Sequence, residues 1–413
     1  MRLRLLLRWL MLALPAAALV CLNLGCARTS RSEQTHIVTV AAANASNPTI
    51  ALDQKTATVY VAWVGKNGEE RNVYLAKMKK GAEQFSEPKQ VNDIAGDGAA
   101  HSEAPAQVAV GPEGNVYVLW HQDTYREGRR FPTSNLRFAR STDGGTSFSP
   151  AIFVNDDHAG PPVGHGFHSI AVSPDGAIYV TWLDSRDKVI APAVMVARSL
   201  DGGKSFAPGV VVAKNICPCC RTATTVDAQG TVYVAFRHVY PENLRDMAIV
   251  RSEDRGQTFS EPARIHEDGW VIDGCPHNGP AIDTDAEGNV HLAWYTGKEE
   301  GFGVYYAVSS DRGDHFTAPI HLNNGMEASP LRATLLAKNK DTAMLACEAT
   351  TADGPQIYLL TPDLSKPGQV QRDSLAAGVY PVIAKQSNFF AIAWLEGDAI
   401  RAVIKTLPIG SKT

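Results

Sequence analysis

The sequence lacks the features that would make it a nucleic-acid binder, a multi-pass membrane protein or a helical bundle. Its 39 Lys and Arg against 43 Asp and Glu give a net charge of −4, and these charges form no run. Collecting phosphates requires a clustered basic face, so a nucleic-acid partner is excluded. Past the first 25 residues, no apolar run approaches the roughly 20 residues of a membrane span. No stretch with helical apolar period is long enough to compete with strands. Cysteine is scarce, seven in 413 residues, so the places where cysteines cluster become informative.

The N-terminus carries Arg2, Arg4 and Arg8, then an apolar stretch from Trp9 to Val20 broken by Pro15, then Leu22-Asn23-Leu24-Gly25-Cys26. This is the pattern of an export signal over residues 1–25. A small residue before a cysteine at the end of the apolar stretch resembles a bacterial lipoprotein cleavage site. That resemblance implies acylation of Cys26, a periplasmic or outer-membrane location in the cell envelope, and membrane attachment through the lipid alone. Asn23 departs from the usual Leu, and ordinary secretion with Cys26 free or paired is the alternative. Residues 26–35 are expected to form a polar tether, and 36–413 a single domain.

One strand motif recurs along that domain. It reads Val59-Tyr60-Val61-Ala62-Trp63, Val116-Tyr117-Val118-Leu119-Trp120, Ile178-Tyr179-Val180-Thr181-Trp182, Val232-Tyr233-Val234-Ala235-Phe236 and Val290-His291-Leu292-Ala293-Trp294. Two weaker copies follow, ending at Cys347 and Trp394. β-Branched and aromatic runs bounded by turn residues are strands, so the chain is expected to be all-β. A four-stranded unit repeated every 50 to 60 residues or so predicts a β-propeller, because each small sheet must bury both faces against its neighbours. The last repeat supplies three strands, around Val382, Trp394 and Val403, and the domain opens with a solitary strand at His36–Val40. The expected architecture is therefore seven four-stranded blades with the N-terminal strand closing the ring, which removes exposed sheet edges. Six blades are the alternative.

The hairpin turns Ser141-Thr142-Asp143-Gly144-Gly145-Thr146-Ser147-Phe148, Ser199-Leu200-Asp201-Gly202-Gly203-Lys204-Ser205-Phe206, Ser252 to Phe259 and Ser309 to Phe316 share a Ser-x-Asp-x-Gly-x-x-Phe spacing. A degenerate fifth ends at Phe85. These turns resemble the Asp boxes of sialidases and related propellers. Asp143, Asp201, Asp254 and Asp311 are read as structural, since Asp accepts bonds from its own turn and Gly supplies positive φ. The sialidase resemblance implies an Arg triad beginning at an Arg-Ile-Pro motif, a Tyr/Glu nucleophile pair and an Asp acid/base. No Arg-Ile-Pro occurs here, and the first-blade strand reads Ser46-Asn47-Pro48-Thr49-Ile50. Weak catalytic candidates are Arg221, Arg332, Asp184 and Tyr295, with Tyr380 and Glu348 as further partners. Whether the protein is an enzyme is left open. If it is one, the resemblance implies a sialidase-like exo-glycosidase.

Repeats in register place equivalent residues around one axis. Seven to nine positions before the first turn of successive blades stand His101 and Glu103, His165, Cys217 and Cys219, and Cys275 and His277, with Cys220 and His168 nearby. The ends of the following strands bring His121, Asp123, Asp184, Arg186, Arg237, His238 and Tyr295 back to the same end of the channel. Cys217-Pro218-Cys219-Cys220 and Cys275-Pro276-His277 admit three readings. One is a soft metal site for copper or zinc, with Cys217, Cys219, Cys220, Cys275, His277, His165 and His101 as candidate ligands. Another is a disulfide from Cys275 to Cys217 or Cys219, in keeping with an oxidising compartment. The third is a redox-active thiol group. Cys347 takes the Trp position of its repeat and is read as core. The expected function is ligand binding at the Cys/His-lined channel mouth, with a metal, small-molecule or glycan ligand. An envelope protein partner is consistent with it, and glycosidase action or glycan binding is the alternative.

Overall fold

The computed structural model describes residues 36–406, apart from 129–131, 161–162, 187–191, 325, 327–328, 367 and 387–388. The expected signal, Cys26 and the tether lie outside the described residues. Among the described residues there are seven antiparallel four-stranded sheets and one short 3-10 turn at Pro241–Asn243. The protein is a seven-bladed β-propeller. Six sheets follow the chain directly from inner to outer strand. The seventh takes Val379–Gln386, Phe389–Glu396 and Ala399–Thr406, and its outer place is filled by Ile37–Ala41. Ile37 pairs with Val403 and Thr39 with Arg401, so the N-terminal strand closes the ring and six blades are excluded.

The alternating strand pattern explains why the ring holds. Each second strand is buried on both faces, as in Ile178–Asp184, because one face meets the preceding blade and the other the following one. Seven apolar clusters result, one in each gap between neighbouring blades. Trp120, Trp182, Trp294 and Trp394 are fully buried there. Cys347 is equally buried in the gap between blades five and six, where desolvation pushes its thiol up to about 12. It is a core residue.

The Asp boxes staple the outer hairpins. Asp201 Oδ1 accepts the Ser199 hydroxyl at 2.8 Å and the N–H groups of Lys204 and Ser205, while Oδ2 accepts the Ser205 hydroxyl at 2.6 Å. In the preceding blade, the hydroxyl and N–H of Ser147 and the hydroxyl of Ser141 hold the Asp143 carboxyl well below the usual carboxylate range. Gly203 is required twice over. Its φ is +80°, and a Cβ there would lie 2.7 Å from the Phe138 ring of the neighbouring blade.

Candidate functional site at the channel mouth

The start of each inner strand lies beside the end of the second strand, as His165 pairs with Asp184 in blade three. Residues from both places therefore meet at one end of the channel, as the register of the repeats implies. The Cys-Pro-Cys-Cys and Cys-Pro-His motifs, expected on the inner strands, lie instead in the loops leading into them. The inner strands of blades four and five begin only at Ala223 and Ala281. Pro218 and Pro276 have no N–H to give a ladder. Cys217 is still anchored, donating its N–H to the Arg237 carbonyl at 2.9 Å.

Three sulfurs share one buried cluster. Cys217 Sγ lies 3.7 Å from Cys219 Sγ and 3.5 Å from Cys220 Sγ. Neither is a bonded distance, and the five described cysteines are free thiols. Cys217 and Cys220 are each 1% exposed and Cys219 5%, with Phe167 and Val239 packed against them. The neighbouring Cys219 and Cys220 sulfurs, with the Arg237 charge, push the Cys217 thiol down, while Cys219 and Cys220 are pushed up. Cys217 is thus the sulfur of the three that nearby positive charge favours most. Arg245 Nη1 supports it from 3.5 Å, and the Asn278 N–H points at Cys220 Sγ from 3.5 Å.

A second group adjoins the first. Ligand atoms of Cys219, Cys275 and His277 lie within 4.8 Å of one another, as do those of Cys217, Cys219 and Cys220. Cys275 is exposed and His277 half-buried. His277 adopts φ +47°, and its buried Nδ1 has no hydrogen-bond partner among the described residues. His101 lies beside it, ring centres 5.7 Å apart, with its Nδ1 accepting the Glu103 N–H at 3.1 Å.

Glu103 ties the two groups together. Its carboxylate is fully buried and accepts the Arg221 guanidinium at 2.9 Å, the Arg221 N–H at 3.3 Å and the Gly279 N–H at 2.9 Å. A loop of blade two thereby crosses the channel mouth to hold the residues immediately after Cys220 and two beyond His277. Gly279 must be glycine for this approach, since a Cβ would sit 2.4 Å from the Arg221 carbonyl. Sequence reasoning placed Glu103 near the motifs but missed this role. The pairing runs between residues 118 and 176 positions apart, and no local pattern encodes it.

The other candidates separate. His165 stands away from the thiols, with Nδ1 against the Ser134 carbonyl at 2.6 Å and Nε2 facing Asp157 at 3.0 Å and Asp184 at 3.4 Å. Asp184 also accepts Trp182 Nε1 and a two-pronged contact from Arg186. His121 and His168 are buried with ring centres 5.8 Å apart, and burial pushes them down to about 3 and about 4. Arg237 is fully buried and donates to the carbonyls of Arg245, Asn278 and Tyr295, with its guanidinium over the Trp270 ring at 4.8 Å. Tyr295 packs edge-on against Trp270. Glu348 accepts the Tyr380 N–H at 2.7 Å. Arg332 lies on the strand Ser329–Asn339, and its side chain is outside the described residues. Arg221 and Arg237 are thus both committed to protein acceptors, so the carboxylate-binding arginine cluster that a sialidase needs is not assembled by them. A cavity of about 140 Å³ opens beside Arg221, lined also by Asn47, Ser102, Gln107 and Tyr380.

No protein-family model matches the sequence, and neither does any curated protein. Solved structures do. The chain is similar to an ulvan lyase of a new polysaccharide lyase family, with TM-score 0.60, 12% identity, and 88% of this chain and 94% of that one covered. It is similar to an α-L-arabinofuranosidase from Fusarium graminearum, with TM-score 0.55, 11% identity, and 91% and 98% covered. A Hadza microbial sialidase matches with TM-score 0.50, 15% identity, and 84% and 77% covered. At such identities these likenesses establish the sialidase-like propeller fold, and function must be argued from the site.

Proposed function

We propose that this protein is an exported, lipid-anchored envelope protein that binds a soft metal ion, cuprous copper in preference to zinc, through Cys217, Cys219 and Cys220. The observation that carries the reading is the convergence of three buried, unpaired sulfurs within 4.8 Å of one another. Thiolates select soft ions, and three donors suit a cuprous ion, whereas structural zinc takes four. The surrounding charge supports the choice. Three thiolates and one monovalent ion leave two negative charges, and Arg245 and Arg237 are the positive groups acting on these sulfurs. Buried charges persist where they are paired in this way.

The test is anaerobic titration of the full chain with cuprous ion against a chromophoric chelator. The reading expects high affinity in the reduced protein and a loss of more than about 100-fold in Cys217→Ser, since removing a direct ligand exceeds the 10–100-fold typical of outer-shell changes. Arg245→Gln, which leaves all three sulfurs in place, should weaken binding by about 10-fold or more. Equal affinity in wild type and Cys217→Ser, with folding confirmed by circular dichroism, rejects the site. Glycan binding at the small cavity beside Arg221 would then be the reading to pursue, by direct binding of oligosaccharides.

A further inference from the structure

Resting on that reading and going beyond it, we infer that the channel mouth holds two cuprous ions bridged by Cys219, the second bound by Cys219, Cys275 and His277. The two ligand groups share only Cys219, and within each the donor atoms lie within 4.8 Å of one another. Five side chains therefore offer six bonding positions if Cys219 Sγ bridges. That number satisfies two three-coordinate ions and leaves none wanting. Two zinc ions would each need a fourth donor.

Three further observations point to the second ion. The buried Nδ1 of His277 has no hydrogen-bond partner among the described residues, and a buried polar atom left so is costly unless something binds it. His277 is held at φ +47°, a conformation uncommon for residues other than glycine and one that persists where surrounding structure enforces it. Glu103 accepts N–H groups from both Arg221 and Gly279, fixing the spacing of the two ligand segments. Charge balance is also preserved. The Cys275 thiolate brings one negative charge for the one positive charge of the second ion, so the net charge facing Arg237 and Arg245 is unchanged. Loading the first ion displaces the thiol protons of Cys217, Cys219 and Cys220 to solvent, loading the second displaces that of Cys275, sulfur–copper bonds form, and copper stays cuprous throughout.

The two ligand groups also differ in access. Cys275 is exposed while Cys217 and Cys220 are buried, so the inner ion is the protected one and the outer ion the exchangeable one. The experiment is native mass spectrometry of the full chain titrated anaerobically with cuprous ion, in a Cys21→Ser/Cys26→Ser background that removes the thiols N-terminal to the propeller from the count. Wild-type ligands should saturate at two ions per chain. Cys275→Ser, at an exposed position, should saturate at one with the first ion's affinity unchanged within about threefold, and His277→Ala should likewise lose the second ion. Saturation of the parent protein at one ion overturns the two-ion site while leaving the proposed function standing. Two ions in Cys275→Ser overturns the assignment of the outer ligands, and no binding at all removes both readings together.

Discussion

Replacing Glu103 by Gln tests whether the channel mouth is held by one buried carboxylate. The wild-type carboxylate is fully buried, and the Arg221 side chain is 15% exposed beside it at 2.9 Å. Gln keeps an oxygen for one of the two backbone N–H groups but removes the charge that the largely buried Arg221 guanidinium faces at 2.9 Å. Breaking such a pair costs about 3–5 kcal/mol. For a domain of roughly 370 residues, an unfolding entropy of about 2.1 cal/mol/K per residue gives about 0.8 kcal/mol per degree. The melting temperature should therefore fall by about 4–6 °C in differential scanning calorimetry of the metal-free protein. Glu103→Leu combined with Arg221→Met should recover part of the loss, because no charge remains uncompensated. Full recovery is not expected, since the Gly279 N–H still lacks its acceptor. A Glu103→Gln midpoint within about 1 °C of wild type would refute the idea that this pair holds the mouth together.

Gly279→Ala should weaken cuprous binding by about 10-fold or more, an effect like that of other outer-shell changes, because its Cβ would lie 2.4 Å from the Arg221 carbonyl; unchanged affinity would mean that the loop relaxes freely. Acid should destabilise the fold. His121 and His168 stay neutral down to about 4 and below, whereas unfolded histidine takes up a proton below about 6.5, so stability is lost as pH falls through that window. From pH 7.5 to 5 the two histidines together remove about 4 kcal/mol. Asp123, raised to about 6 by burial, binds its proton earlier when folded and returns about 1 kcal/mol. Urea titrations at the two pH values check the net fall of about 3 kcal/mol, and equal stabilities contradict it. Asp201→Ala should lower stability by about 1–3 kcal/mol through its lost charged hydrogen bonds and leave the number of bound ions unchanged; a change in metal stoichiometry would show that the outer hairpin reaches the site.

The propeller was legible because its determinants are local and repeated. The Val-Tyr-Val-Ala-Trp strands and the Asp-Gly-Gly turns each specify their own hairpin, and the unpaired strand at the N-terminus matched the missing outer strand of the last repeat. Counting back from the turns also put His101, Glu103, Cys217, Cys219, Cys275 and His277 at one end of the channel. What the counting could not give was conformation. It treated the cysteine motifs as extended strand, whereas the prolines release them into loops, where Cys217, Cys219 and Cys220 converge instead of alternating. It also grouped His165 with the thiols, although its strand position turns the ring toward Asp157 and Asp184. Arg221, a weak catalytic candidate, is claimed by Glu103, a partner more than a hundred residues away.

X-ray absorption at the copper edge, on the full chain loaded anaerobically with one equivalent of cuprous ion, tests the central claim most directly. The account predicts a three-coordinate shell of sulfur alone, reduced to fewer sulfurs in Cys220→Ser. A shell dominated by nitrogen or oxygen, or one unchanged by that substitution, would place the ion elsewhere and contradict the trithiolate site.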